Sequence, residues 1–153
     1  MRQVTLCYLL RDDEILLGMK KRGFGAGRYN GFGGKPEDGE SLEAAAVREF
    51  REESGVIIDE RDLRKVGEIA FSFPAKPEWD QVVHIYFATE WSGEPRETAE
   101  MKPVWCKLAE LDYEKMWEVD RHWLPHTIEG RFVKGRAVYS AEQQLVEHNL
   151  RIS

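Results

Sequence analysis

Residues 34–56 read GKPEDGESLEAAAVREFREESGV, and this stretch organises the rest of the chain. Its second half is dominated by alanine, leucine, glutamate and arginine, which favour a helix. Ser41 is a suitable N-cap, Glu43 complements the positive end of the helix dipole, and Gly55 is a suitable stop. The stretch therefore predicts a helix over residues 41–54 that follows a glycine-containing loop.

Three glutamates crowd one side of this predicted helix. At about 100° per residue, Glu49, Glu52 and Glu53 fall within about 100° of arc. Glu53 lies between Leu42 and Ala46, on the apolar side, where an unpaired carboxylate is costly. A solvated acidic face is the ordinary explanation of such a run. The other explanation is a divalent cation, and hard oxygen ligands favour Mg²⁺ or Mn²⁺. Helix geometry alone leaves both open.

The segments on either side of this helix predict strands. Residues 4–10 and 15–19 form two apolar runs around a turn and are typical of a hairpin. Seven of the 13 glycines lie in residues 23–39, which predicts positive φ angles or close backbone approach. Further strands are predicted at residues 63–73, 82–91, 104–108 and 132–139. Residues 112–127 are interpreted as irregular, and residues 144–152 fit a strand or a helix. This order indicates a mixed α/β or α+β domain.

The overall composition excludes several classes of protein. The chain has 153 residues, enough for one domain, and 28 acidic against 22 basic residues, a net charge of −6. A general nucleic-acid or membrane-surface binder normally has a basic surplus. The two cysteines form no CxxC or Cys/His cluster, and no apolar run approaches membrane-span length. We therefore expect a cytoplasmic protein with no nucleic-acid or membrane partner.

Every fixed position of the pattern G-x5-E-x7-R-E-U-x-E-E-x-G-U, where U is apolar, is matched from Gly34 through Glu40 and Arg48 to Val56. This pattern resembles the box of the Nudix hydrolases. Residues 18–35, GMKKRGFGAGRYNGFGGK, further resemble the MutT-type oxidised purine nucleoside triphosphatases of that family. The resemblance implies one Nudix domain over residues 1–153, an α/β/α sandwich around a mixed sheet. It also implies Mg²⁺-dependent hydrolysis, with Mn²⁺ as a possible substitute, of purine nucleoside triphosphates such as 8-oxo-dGTP to monophosphate and pyrophosphate.

The resemblance also implies a set of metal ligands and catalytic residues. The ligands would be Glu49, Glu52, Glu53, the Gly33 carbonyl and, from a distant loop, Glu100. We favour Glu53 as the base or water-orienting group because of its place beside the apolar stripe, and Glu49 is the alternative. Arg48 can reach Glu52 one helical turn later and help to hold a ligand.

The implied nucleotide pocket draws on several segments, and Trp117 would stack on the purine. Its residues are Thr5, Lys20, Phe24, Asn30, Phe32, Gly33, Gly34, Lys35, Phe71, Phe73, Trp117 and Asp120. This chain departs from the resemblance at Val119, where relatives have an acid that reads the base, and at residues 76–82, which include Trp79 and Gln81. We therefore expect hydrolysis of a pyrophosphate bond but weaker reading of the oxidised base.

Two other functions remain open at this point. One is hydrolysis of a different nucleoside diphosphate derivative, such as a nucleotide sugar or a dinucleoside polyphosphate. The other is a non-catalytic Nudix module that senses a nucleotide, although such a module has no need of an intact acidic trio. In each case the expected partner is a small nucleotide, and the sequence predicts no oligomeric state.

Overall fold

The computed structural model describes residues 1–153. The chain forms eight strands and two α-helices, with three strands before α1, three between the helices and two after α2. Their bounds are β1 Arg2–Arg11, β2 Glu14–Lys20, β3 Tyr29–Asn30, α1 Leu42–Ser54, β4 Arg64–Ser72, β5 Gln81–Ala88, β6 Met101–Lys107, α2 Asp120–Ile128, β7 Val133–Tyr139 and β8 Leu145–Ile152. Neither helix is long and apolar enough to cross a membrane.

The strands form a mixed sheet in the order β3-β2-β1-β5-β4-β7-β8, with β6 paired to β2. The pairs β1–β5 and β4–β7 are parallel, and the other pairs are antiparallel. β1 and β5 run side by side for eight residue pairs, from Arg2 opposite Gln81 to Leu9 opposite Ala88. This pairing brings together two segments that are about half the chain apart.

The helices cover opposite faces of the sheet, as the alternating side chains of β1 show. Cys7 points to the face covered by α1 and packs in one buried cluster with Phe50. Tyr8, the next residue, points to the other face and packs in a second cluster with Trp123 of α2. Because successive side chains of a strand point to opposite faces, these two cores give the α/β/α arrangement. The predicted fold class is confirmed.

Helix α1 begins and ends as its sequence predicts. The Ser41 hydroxyl accepts a hydrogen bond from Ala44 N at 3.0 Å, and Gly55 N donates to Arg51 O at 2.8 Å. Gly55 has φ +82°, a conformation that glycine adopts without a steric penalty. The same helix presents Ala46 and Phe50 to the core, so its orientation about its own axis is set by their burial.

The structure differs from the sequence interpretation in several places. Strand β6 begins at Met101, three residues before the predicted start, and the short strand β3 was not predicted. The stretch 112–127, interpreted as irregular, contains most of α2. This helix is only nine residues long and includes Pro125, so neither its period nor its composition favours a helix. Strand β5 ends at Ala88 and not at Trp91. The undecided segment 144–152 is an edge strand, because its backbone pairs with β7.

Candidate active site

The three clustered glutamates of α1, Glu49, Glu52 and Glu53, lie at different depths. Glu53 is the most buried, and its Oε1 accepts a hydrogen bond from Gly33 N at 2.9 Å. Burial, with a smaller contribution from the neighbouring Glu49 charge, raises the pKa of Glu53 to about 8. Burial also raises the pKa of Glu49, which is half-buried. Glu52 stays at the surface, with 58% of its side chain exposed. The predicted placement of Glu53 against the apolar stripe is therefore confirmed.

Arg48 joins the loop before α1 to these carboxylates. Its Nε and Nη2 donate to both oxygens of Glu40 at 2.8 and 2.9 Å, a bidentate pair. Its Nη1 donates to Glu49 Oε1 at 2.9 Å and lies 3.4 Å from Glu52. The guanidinium holds the pKa of Glu40 down to about 2. Glu52, the partner expected from helical spacing, is thus the weaker contact, and Glu49 is the carboxylate that Arg48 orients.

Two glycines allow the backbone to pass between β1 and α1. A Cβ at Gly33 would lie 1.7 Å from Thr5 O, and one at Gly34 would lie 2.5 Å from the carboxyl carbon of Glu49. Thr5 N donates to Gly34 O at 2.9 Å, which holds the turn against the sheet. The Gly33 carbonyl accepts no hydrogen bond from the chain. A side chain at Gly33 would push the turn away from β1, and one at Gly34 would push it away from Glu49.

The donor atoms at this turn suit a divalent cation, although the full predicted ligand set is not assembled. Carboxylate oxygens and the unpartnered Gly33 carbonyl are hard ligands of the kind that Mg²⁺ takes. However, no three acidic side chains converge on one point. Glu100 instead pairs with Arg22 at 2.5 Å, at the protein surface. Glu100 therefore does not lie in one cluster with Glu49, Glu52 and Glu53 in this structure, and its role as a metal ligand stays a prediction.

A cavity of about 130 Å³ opens beside the same turn. Gly33 and Gly34 form one wall, and they contact Glu53 and Glu49 on their other side. The cavity therefore lies next to the turn that contacts the carboxylates. Nine of the twelve predicted pocket residues line it: Thr5, Lys20, Phe24, Asn30, Gly33, Gly34, Phe71, Trp117 and Asp120.

The other three predicted residues do not reach the cavity. The Phe32 side chain is fully buried on the α1 face, with its ring 4.5 Å from that of Phe50. It pairs with Cys7 across an antiparallel bridge, which directs its side chain away from the pocket face. The Phe73 ring lies behind the wall, 5.7 Å from Phe24. Lys35 is exposed, and its carbonyl accepts a hydrogen bond from Arg48. None of these three residues lines the cavity, and their contact with a substrate stays a prediction.

Asp120 is the buried acid of the cavity and is only 4% exposed. Its Oδ1 accepts a hydrogen bond from Trp123 Nε1 at 2.9 Å, whereas its Oδ2 is buried without a partner. Burial raises the pKa of Asp120 to about 7, against the opposing effect of the Arg28 charge. A buried polar atom without a partner is costly, so Oδ2 marks a place where a ligand atom would be favourable.

Trp117 lines the cavity, but its ring is already covered. Phe24 stacks against it with a centroid separation of 5.3 Å, and the Arg28 guanidinium lies 4.0 Å from its centre. Gln143 holds Arg28 there by accepting its hydrogen bond at 2.7 Å. With 5% of Trp117 exposed, a base can stack on this ring only if one neighbour moves. The open stacking surface expected from sequence is absent.

Four lining residues were not among the predicted site residues: Val4, Leu6, Gln81 and Val83. All belong to β1 and β5, and they alternate along these strands, so they share one face of the sheet. The alternation of side chains along each strand could have been read from the sequence. The pairing of β1 with β5, which brings the four residues together, could not. Val119, by contrast, is fully buried and does not line the cavity.

The acidic helix held by an arginine, beside a glycine turn and a cavity on a mixed sheet, is the arrangement found in the Nudix fold. Residues 1–127 match the NUDIX domain family, and the chain belongs to the Nudix hydrolases, which generally need a divalent metal.

Named relatives cover nearly the whole chain. The chain is 41% identical to the oxidized purine nucleoside triphosphate hydrolase of Mus musculus, over 98% of this chain and 94% of that protein. It is 42% identical to the enzyme of the same name from Danio rerio, over 96% and 92% of the two chains. Its structure is similar to that of a mutator MutT protein from Bacillus halodurans, with a TM-score of 0.85 and 27% identity over 98% and 97% of the two chains.

Proposed function

We propose that this Nudix hydrolase converts purine nucleoside triphosphates, including oxidised ones such as 8-oxo-dGTP, to monophosphate and pyrophosphate with Mg²⁺. The observation that carries the proposal is the glycine turn at Gly33 and Gly34. One side of this turn contacts two carboxylates, and the other side forms the wall of a cavity that ends at a buried, half-partnered Asp120. A nucleotide has the matching polarity, with a charged phosphate end and an apolar base with polar edges. The Mus musculus and Danio rerio relatives bear the name of this activity.

The proposed roles follow from the charge of each group. Glu49, Glu52, Glu53 and the Gly33 carbonyl would hold the Mg²⁺, which offsets phosphate charge and polarises the phosphoryl oxygens when bound. Lys20 lines the cavity and can meet phosphate charge on a chain with net charge −6. Glu53 takes the proton of the attacking water, since it is the most buried of the three carboxylates and contacts the glycine turn through Gly33 N. Water adds to phosphorus, the anhydride bond breaks, and pyrophosphate leaves.

The base would lie against the sheet face opposite α1. Asp120 and Asn30 offer polar atoms to its edge. Asn30 Oδ1 already accepts a hydrogen bond from Gly31 N at 3.1 Å, which leaves its NH₂ group for a ligand. Phe24 or Arg28 would shift to let the base contact Trp117. The cavity of about 130 Å³ is smaller than a typical ligand pocket of about 300 Å³ or more, which is consistent with such a shift.

We further propose that residues 1–153 fold as one Nudix domain and that the protein acts in the cytoplasm. One continuous set of paired strands runs from Arg2 to Ile152, which supports a single domain. Both cysteines are free, and Cys7 is buried, as suits a reducing compartment.

The test is product analysis on a substrate panel with Mg²⁺: 8-oxo-dGTP, dGTP, dATP, a nucleotide sugar and a dinucleoside polyphosphate. We expect pyrophosphate and monophosphate from the purine triphosphates, faster on the alkaline side of neutral, and no turnover in excess EDTA. Glu53→Gln should lower kcat by at least about 10²-fold, with Glu49→Gln as the comparison. Undiminished turnover in EDTA, or a clear preference for the nucleotide sugar or dinucleotide, would contradict the proposal.

A further inference from the structure

Gln81 is a polar residue on the sheet wall of the cavity, among neighbours that are apolar. It is the first residue of β5, and its cross-strand partner on β4 is Phe71. Directly opposed residues share a face of the sheet, so Gln81 lies on the same face as Phe71 and, two residues further along its own strand, Val83. All three line the cavity. The stripe that continues through Ile85 and Phe87 is buried and apolar.

The Gln81 amide hydrogen-bonds to no other residue of the chain. The contrast with Gln3 on the neighbouring strand is instructive. Gln3 points to the opposite face of the sheet, where its Oε1 is 2.6 Å from His84 Nε2 and its Nε2 donates to Met1 O. The chain thus satisfies one sheet glutamine internally and leaves the other with its donors and acceptor facing the cavity.

The backbone at Gln81 is held in place, which fixes the point from which its side-chain amide extends toward the cavity. Asp80 Oδ1 accepts a hydrogen bond from Phe73 N at 2.7 Å, and Asp80 N donates to Pro77 O at 3.0 Å. Trp79 packs its ring 5.0 Å from that of Phe24, which also lines the cavity. These contacts close the 74–80 loop on itself and fix where β5 begins.

We propose that Gln81 is a specificity-determining residue that hydrogen-bonds the edge of the purine from the sheet side of the cavity, an inference that rests on the proposed function. A carboxamide presents a donor and an acceptor side by side. It can pair with the oxygen and N–H of a 6-oxo purine, and after a half-turn of the amide it can pair with the nitrogen and NH₂ of a 6-amino purine. Gln81 therefore lets this enzyme accept both classes of oxidised purine.

Replacement of Gln81 by methionine removes both hydrogen bonds and keeps a side chain of similar length. Because the amide pairs with either edge through one donor and one acceptor, both classes of purine lose the same two bonds. We expect Gln81→Met to lower kcat/KM about tenfold for 8-oxo-dGTP and for 8-oxo-dATP.

The control and a second measurement keep the test decisive. Gln144→Met makes the same chemical change at an exposed position outside the cavity and should leave kcat/KM for both substrates unchanged. Calorimetric binding of 8-oxo-dGMP and 8-oxo-dAMP in EDTA reports the same loss without turnover, and thermal melting confirms that each variant is folded. If the parent hydrolyses both triphosphates but Gln81→Met binds and hydrolyses them as well as the parent does, the inference is wrong while the proposed function stands. If the parent hydrolyses neither, the proposed function itself has failed.

Discussion

Replacing Glu53 with glutamine should stabilise the metal-free protein, and the gain should grow with pH. In the parent, burial beside Glu49 raises the Glu53 pKa from 4.5 to about 8. The unfolded chain ionises this group freely above 4.5, whereas the folded chain must keep it protonated or bury a charge. The parent therefore loses stability as the pH rises from 4.5 through about 8. Glutamine carries no charge, and its Oε1 can still accept the hydrogen bond from Gly33 N.

The size of the effect follows from the same pKa. The rise from 4.5 to about 8 corresponds to at most about 5 kcal/mol in the free energy of ionisation. Relaxation and partial hydration of the folded state reduce this, so we expect the variant to be about 2–3 kcal/mol more stable than the parent at pH 9. At pH 5 the difference should be under about 1 kcal/mol, because this pH lies only slightly above the unfolded-state pKa of 4.5, so ionisation favours the unfolded chain only weakly.

Urea unfolding at pH 5, 7 and 9 in EDTA measures the difference directly. Glu52→Gln is the matched control, since Glu52 lies one position away on α1 with 58% of its side chain exposed. It should change stability by little and equally at each pH. Saturating Mg²⁺ should stabilise the parent by about 3 kcal/mol at a hundred times its Kd, and the Glu53→Gln variant by less. A stability difference that stays the same from pH 5 to pH 9 would refute the reasoning.

Three further substitutions test the rest of the site. Arg48→Lys should lower kcat by about tenfold or more while the fold is retained, because an ammonium cannot hold Glu40 in a bidentate pair and also orient Glu49. Steady-state kinetics measures kcat, a thermal melt checks the fold, and an unchanged kcat would contradict the prediction. Asp120→Asn should cost about 1–3 kcal/mol in kcat/KM on the preferred purine, measured with 8-oxo-dGTP and dGTP, because it alters a buried hydrogen-bonding atom. A kcat/KM equal to that of the parent on both substrates would show that other residues read the base. Val119→Asp should lower the free energy of unfolding by about 2 kcal/mol or more, because a fully buried position would receive a charge; a stable variant with a new preference for 8-oxo-dGTP would show that residue 119 reaches the base.

The local geometry of α1 could be predicted from the sequence because it depends on residues close together in the chain. Ser41 and Gly55 bound the helix, and the spacing of Glu49, Glu52 and Glu53 places Glu53 toward the core. These features require only the period of a helix and the preferences of capping residues. The family followed from the same short stretch, since its fixed positions are all contained within residues 34–56.

The cavity and the partners of its polar groups could only be seen in the tertiary structure. The side on which Phe32 packs depends on its bridge to Cys7, and the position of Gln81 beside Phe71 and Val83 depends on the register of three strands. Glu100 pairs with Arg22, which is 78 residues earlier in the chain. Strand pairing joins segments that are distant in sequence, and a shift of one residue turns every side chain to the other face. Burial by such distant segments also raises the pKa values of Glu53 and Asp120, and no local pattern encodes it.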